Sequence, residues 1–208
     1  MKIVEQTAVR FYPACDDEWI REAKFIERVG RIAYKSEDKI GDETWRPFIR
    51  MIVERGHEAV LEFGNMIVLL LTDRGITHEI VRHRLCSFVQ ESTRYCNYGK
   101  DKFGKEISFI KPSDIYDLSG WEQSCENAEF QYLRMVENGV PPQAARSVLP
   151  NSLKTEIAVK ANFREWRHIF RLRAISKAAH PDMRKLMIPL YEQCRKALPE
   201  VFEMGDPE

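Results

Sequence analysis

Residues 82–95 read RHRLCSFVQESTRY and lie shortly beyond the apolar run MIVLLL at residues 66–71. Arg82, His83 and Arg84 adjoin one another, and Ser87, Gln90, Ser92, Thr93, Arg94 and Tyr95 follow within about three turns if the stretch is helical. A soluble helix face pairs such cations with Glu or Asp three or four residues away. Here the only nearby acids are Glu79 before the block and Glu91 inside it, so guanidinium groups outnumber local partners. Planar, permanently charged guanidinium donors suit phosphate and carboxylate. The plain alternative is a solvated basic face. The adjoining apolar segment and the interleaved Ser and Gln, in place of Lys and Glu, favour an anion site.

Working outward, 208 residues suit one sizeable domain, or two small ones, with a real core. Lys plus Arg equals Asp plus Glu at 32 each, so no global field draws the chain to nucleic acid or to an anionic membrane. An anion site must therefore be local. Five cysteines, widely separated and without a CxxC pair, point to a reducing cytosol and away from a disulfide framework or a cysteine zinc site. Neither the N-terminal stretch nor residues 66–71 has the length of a secretory or membrane-spanning segment. A cytoplasmic protein with no membrane partner is expected.

In order, residues 2–12 read as one strand closed by Pro13. Asp16 and Asp17 cap a helix to about Tyr34, with Trp19, Ala23, Ile26, Val29 and Ala33 as its apolar stripe. A second helix spans residues 44–55, with Pro47 in its first turn and Gly56 at its stop. His57 follows directly, where a histidine is ordinarily a cap. Residues 65–71 read as a buried strand, Thr72-Asp73-Arg74-Gly75 as a turn, and residues 76–81 as a helix leading into the basic block. Residues 105–110 form another strand, and a long helix runs from Ser113 or Ser119 to Asn138. A short helix begins at Pro142 and includes Arg146. Residues 153–161 alternate as a half-exposed strand. Asn162 caps the helix FREWRHIFRLRAISK, with Arg164, Arg167, Arg171 and Lys177 along one side and Phe163, Trp166, Phe170 and Ala174 along the other. Arg173 falls off the basic line, toward the apolar side, and either snorkels or aims into a site. The last helix runs from Pro181 to about Leu198, interrupted or kinked at Pro189. Helices with about four strands predict a helix-rich mixed α+β (α/β) single domain, residues 1–208, around a small central sheet.

The five histidines show no HxH, HxxxH or HExxH spacing, which disfavours a zinc hydrolase, and no metal is expected. Neither a GxSxG elbow, nor a GxGxxG turn, nor a P-loop is present. Arginine-rich recognition of a phosphorylated small molecule remains, with nucleic acid and an acidic protein partner as weaker alternatives.

The block also carries a resemblance. Arg-His-Arg, seven residues, then Ser is the signature of flavin-dependent thymidylate synthases. GHEAVLEF resembles that family's Gly-His segment, STRY continues the signature, VPPQAARSVLP resembles its arginine-plus-Leu-Pro segment, and NFREWRHIFRLRA resembles its Asn-x-Arg helix. The similarity runs over residues 20–195. It implies the family's fold, a homotetramer with active sites at subunit interfaces, FAD as cofactor, and conversion of dUMP to dTMP with methylenetetrahydrofolate and NADPH as co-substrates. By resemblance, His57, Ala59, Arg82, His83, Arg84, Gln90, Asn162, Arg164 and His168 contact the flavin. Glu79, Arg82, Gln90, Ser92, Thr93, Arg94, Arg146 and Arg173 surround the nucleotide, with Arg173 catalytic through N3 ionisation of the uracil. Ser92 is then a ligand and not a nucleophile, and Cys86 and Cys96 take packing roles. The sequence departs from the family at Ala59, where a hydroxyl residue is common, at Glu79, where glutamine is common, and at His168, a frequent asparagine. SKAAHPDMR also differs in length and composition, bearing on Lys177 and His180. A non-catalytic or altered-specificity flavoprotein on the same fold is the second reading.

Overall fold

The computed structural model describes residues 1–207. In chain order the elements are β1 (Lys2–Val4), β2 (Thr7–Tyr12), α1 (Asp16–Tyr34), α2 (Trp45–Glu54), β3 (Asn65–Asp73), α3 (Arg74–Ile80), β4 (Ser87–Gln90), β5 (Ser108–Ile110), α4 (Leu118–Glu137), α5 (Pro142–Ala145), β6 (Lys154–Asn162), α6 (Phe163–Phe170), α7 (Pro181–Ala197) and α8 (Pro199–Phe202). Short 3-10 turns fill Glu58–Phe63 and Arg146–Val148, and a π-turn spans Arg171–Ile175. Helix predominates around small sheets, the expected class.

Strands β1 and β5 pair in parallel, Lys2 opposite Ser108 and Val4 opposite Ile110. The other sheet runs β2-β3-β6-β4. The Phe163 amide donates to the Gly64 carbonyl at one end of β3, and the Arg74 amide to the Asn151 carbonyl at the other, both at 2.9 Å. Strands β3 and β6 therefore run antiparallel.

The chain divides into two compact units. The first comprises residues 1–7, 70–82 and 89–157. Its core gathers Tyr98, Ile107, Phe109, Cys125, Tyr132, Ala145 and Leu153. The second comprises residues 8–69, 83–88 and 158–208. There α1 buries Trp19, Ala23, Ile26 and Gly30, and α2 buries Trp45, Phe48, Ile49 and Ile52. Phe163 at the start of α6 stands 5.6 Å from Trp19 and 5.4 Å from Phe202, ring to ring. This packing needs Gly64, because a Cβ there would come within 2.6 Å of the Phe163 ring and 2.7 Å of Ile26 Cδ1.

Several sequence expectations are corrected. Residues 2–12 form two strands in different sheets, not one. The α1 N-cap is Cys15, and Asp16, Asp17 and Glu18 occupy the first turn, where they favour the dipole. Its buried stripe passes through Gly30 and leaves Ala33 exposed, since Gly30 lets the Phe48 ring approach to where a Cβ would stand at 2.7 Å. Thr72-Asp73-Arg74-Gly75 is no turn. Strand β3 runs to Asp73, whose carboxylate accepts the Ile76 amide at 2.7 Å and starts α3 at Arg74. Strand β3 alternates, with Met66, Val68 and Leu70 fully buried and their neighbours half-buried, so it is not enclosed on both faces. Left-handed backbone at Gly104 and Lys105 delays β5 until Ser108. Asp117, and neither serine, caps α4 through the Gly120 amide at 2.9 Å. Helix α7 continues through Pro189.

Candidate active site

Residues 82–95 are not helical. Helix α3 ends at Ile80, turns occupy the basic triplet, β4 takes Ser87–Gln90, and a further turn holds Ser92 to Tyr95. The alternation Ser87 exposed, Phe88 half-buried, Val89 exposed, Gln90 half-buried is a strand period that three adjacent cations obscure. Arg82 and Arg84 are exposed, and their side chains meet no partner among the described residues. Glu91, the one acid inside the block, does not neutralise them. Its carboxylate takes the Lys154 ammonium at 3.2 Å and the Tyr98 hydroxyl at 2.9 Å.

In the first unit, Arg146 crosses 53 positions of sequence to donate from Nη1 to Thr93 Oγ1 at 2.9 Å. They line a cleft of about 390 Å³ with Arg74, Gln143, Ser147, Leu149 and Leu153. Arg74, Gln143 and Ser147 were not singled out by sequence, because only the end-to-end meeting of β3 and β6 puts Arg74 beside residue 151. Arg74 also donates from Nη2 to the Glu91 carbonyl at 3.0 Å, tying the cleft to the basic block. Thr93 is buried and Arg146 is exposed. Ser92 Oγ accepts the Arg94 amide at 3.4 Å, and the Arg94 guanidinium lies 5.6 Å from the Tyr95 ring centre. Among the described residues no basic side chain is hydrogen-bonded to the Ser92 hydroxyl. Gln90 donates from Nε2 to the hydroxyls of Thr77 at 3.0 Å and Thr155 at 3.3 Å, so its carbonyl oxygen is the atom that would meet a ligand. Glu79 is half-buried in the last turn of α3.

In the second unit, a cleft of about 460 Å³ is lined by Glu58, Glu62, Leu85, Asn162, Arg164, Glu165, His168 and Arg171. Its size lies in the roughly 300–1,000 Å³ range of small-molecule sites. Asn162 Oδ1 accepts the Glu165 amide at 2.8 Å and caps α6, as expected. Arg164 pairs with Glu62 at 2.6 Å, and Arg171 with Glu58 at 3.5 Å. Both arginines are about half exposed, so each pair is worth only about 0–1 kcal/mol and yields readily to a phosphate. The donor set thus fits a phosphate-bearing cofactor. Arg167, expected on the solvent side, is buried instead, held by Glu58 at 2.9 Å and by the Val201 carbonyl. His57 and Ala59 are exposed, and His57 Nδ1 lies 2.8 Å from the Tyr34 hydroxyl.

Behind this cleft is a buried group the sequence did not disclose. His83 Nδ1 stands 3.3 Å from Glu165 Oε1, and Arg173 Nε donates to His83 Nε2 at 3.3 Å. The His168 ring crosses His83 edge-on at 5.6 Å. Burial first, then the Arg173 and His168 charges, pushes the His83 pKa down to about 4, so its imidazole is neutral at physiological pH. Burial raises Glu165 above the ordinary carboxylate range, partly opposed by His168. Burial, then Glu165, pushes the Cys86 thiol up to about 12, which leaves it unreactive. Ligand atoms of His83, Glu165 and His168 lie within 4.8 Å of one another. A cation held there would sit beside the Arg173 guanidinium, so the trio is a hydrogen-bonding cluster in preference to a metal centre.

The helix that carries Arg173 does not stay regular to Lys177. After Phe170 the backbone widens into a π-turn, with the Ser176 amide donating to the Arg171 carbonyl five residues back at 3.1 Å. Arg173 lies on this turn, off the solvent stripe as its spacing predicts. Such π-turns are rare and concentrate at functional sites. Lys177 and His180 lie beyond the turn, both exposed.

A family model described as thymidylate synthase complementing protein matches residues 17–200. The flavin-dependent thymidylate synthase of Corynebacterium glutamicum is 31% identical over 92% of this chain and 84% of the relative. The chain belongs to the flavin-dependent thymidylate synthase family. The Geobacter sulfurreducens flavin-dependent thymidylate synthase agrees, at 30% identity over 88% of this chain and 81% of its own length. The crystal structure of the UMP/dUMP methylase PolB from Streptomyces cacaoi, bound with 5-Br dUMP, has the same fold at a TM-score of 0.77 and 21% identity, covering 98% of this chain and 96% of that one. Membership makes the chain a flavin-dependent methyltransferase, and the family implies a flavin cofactor.

Proposed function

We propose that the chain is a thymidylate synthase that reductively methylates dUMP to dTMP, with FAD as its flavin, methylenetetrahydrofolate as carbon donor and NADPH as reductant. The observation that carries the reading is Arg173, a guanidinium on a π-turn that is tied to a buried neutral histidine of the signature block. In this reading a fixed cation beside the uracil lowers the cost of ionising N3 and so activates the ring, without an enzyme nucleophile on dUMP. Arg146, held to Thr93, takes the monoester phosphate with Arg94, and Ser92, Gln90, Glu79 and Arg82 complete the nucleotide site.

Asn162, Arg164, His168, His57, Ala59 and the triplet Arg82, His83 and Arg84 would hold the flavin. When bound, it supplies the reducing equivalents. Ala59 offers only backbone and shape at its position. A single domain, residues 1–208, assembled as a homotetramer with sites at subunit interfaces, is part of the same reading. Leu85, Val89 and Tyr95, each more than 70% exposed beside the signature residues, are apolar or aromatic surface that a second copy would cover. The balance of 32 basic and 32 acidic residues supports a small-molecule partner over nucleic acid, and no described helix is long and apolar enough to cross a membrane.

The test is spectroscopic. Protein purified or reconstituted with FAD should be yellow, bleach with NADPH and recover in air. A protein that stays colourless after reconstitution would sink the proposal.

A further inference from the structure

We infer that Glu165 is a positioning residue. It keeps the His83 proton on Nδ1, so that Nε2 accepts the Arg173 Nε–H and fixes the guanidinium. The inference rests on the reading of Arg173 as the uracil-activating group. Three observations lead to it. Arg173 Nε is a donor that never loses its proton, so the nitrogen it meets at 3.3 Å, His83 Nε2, must be bare. A neutral imidazole then carries its single proton on Nδ1, and the atom facing Nδ1 at 3.3 Å is Glu165 Oε1. Both His83 and Glu165 are buried, at 5% and 7% exposure, so water is poorly placed to replace the carboxylate as acceptor.

Glu165 is itself locked in place. Its amide donates to Asn162 Oδ1 at 2.8 Å in the first turn of α6, and Arg173 follows on the π-turn that continues α6. Among the described residues, Arg173, His168 and Cys86 are charged or titratable groups that face the pair. A carboxylate that orients a histidine, which in turn orients the working group, is the logic by which a second layer of residues sets the geometry of a first. Without it, the proton moves to Nε2, two donors face each other, and Arg173 is pushed away.

The experiment uses flavin-loaded full-length protein with nitrogen-15-labelled histidine, the His83 signals being assigned by their loss in His83→Gln. In the unsubstituted protein His83 should be the Nδ1–H tautomer. Glu165→Leu should shift it to Nε2–H and lower kcat at least tenfold, with KM for dUMP changed less than threefold. Glu165→Gln keeps an acceptor oxygen and should restore both the tautomer and most of kcat. An Nε2–H tautomer in the unsubstituted protein overturns the inference, and that measurement decides even if Glu165→Leu fails to fold. So does a Glu165→Leu protein in which either the tautomer or kcat is unmoved. Arg173→Ala separates the layers. If it stays active, the reading of Arg173 itself fails, whereas if it is inactive while Glu165→Leu behaves normally, only the role of Glu165 fails.

Discussion

At the scale of single residues, the two clefts differ in how their arginines are balanced. Arg164, Arg167 and Arg171 have carboxylates from residues 58 and 62, but Arg146 rests on a hydroxyl alone among the described contacts. A guanidinium that faces a neutral partner keeps its charge for a ligand. Arg146→Ala should therefore weaken dUMP binding by about 1.5–3 kcal/mol, the range of a charge-assisted hydrogen bond, while flavin absorbance is unchanged. Calorimetric titration with dUMP checks this. His83 gives a second expectation. Its pKa falls from 6.5 in the unfolded chain to about 4 in the folded one, so below about 6.5 the unfolded state binds the extra proton. Stability is complete above that pH and is lost as pH falls toward 4. Urea unfolding at pH 7 and pH 5 should show this loss, and His83→Gln should show less of it.

At the scale of elements, packing explains what the sequence disclosed. Helices α1, α2 and α4, with their 3.6-residue stripes and stops at Gly56 and Gly139, were legible because their apolar periodicity is a local signal. Strand β4 and the π-turn were not. Strand β4 becomes a strand by pairing with β6, as in the Glu91 amide's bond to the Glu156 carbonyl at 2.8 Å, 65 positions away. The π-turn interrupts a stretch that otherwise reads as one helix, and the burial of Arg167 within α6 comes from its long-range partners Glu58 and the Val201 carbonyl. The entry to α6 is a tightly fitted junction. Gly64→Ala should cost about 1–3 kcal/mol, because a Cβ at 2.6 Å from the Phe163 ring forces that ring or Ile26 to shift. Thermal unfolding of the variant measures it, and an unchanged midpoint would show that Phe163 is not packed there.

At the scale of the whole molecule, a chain with no net charge leaves Arg82 and Arg84 without side-chain partners among the described residues, and joins Thr93 and His83 of the same block to arginines from distant sequence. The motifs RHR, STRY, the Arg146 segment and Asn162-x-Arg164 were legible as residues. Their grouping was not, because Thr93 with Arg146, and His83 with Glu165 and Arg173, are set by strands and turns that join far-apart positions. Glu165 itself passed unnoticed since, by spacing, it is only an acid in the first turn of a helix. The central claim is that this arrangement methylates a pyrimidine nucleotide through Arg173. The most direct measurement incubates FAD-loaded protein with dUMP, methylenetetrahydrofolate and NADPH and quantifies dTMP, alongside Arg173→Ala. We predict dTMP formation that is lost in the variant while its flavin spectrum is kept. NADPH oxidation with no dTMP, or full turnover by Arg173→Ala, would contradict the account.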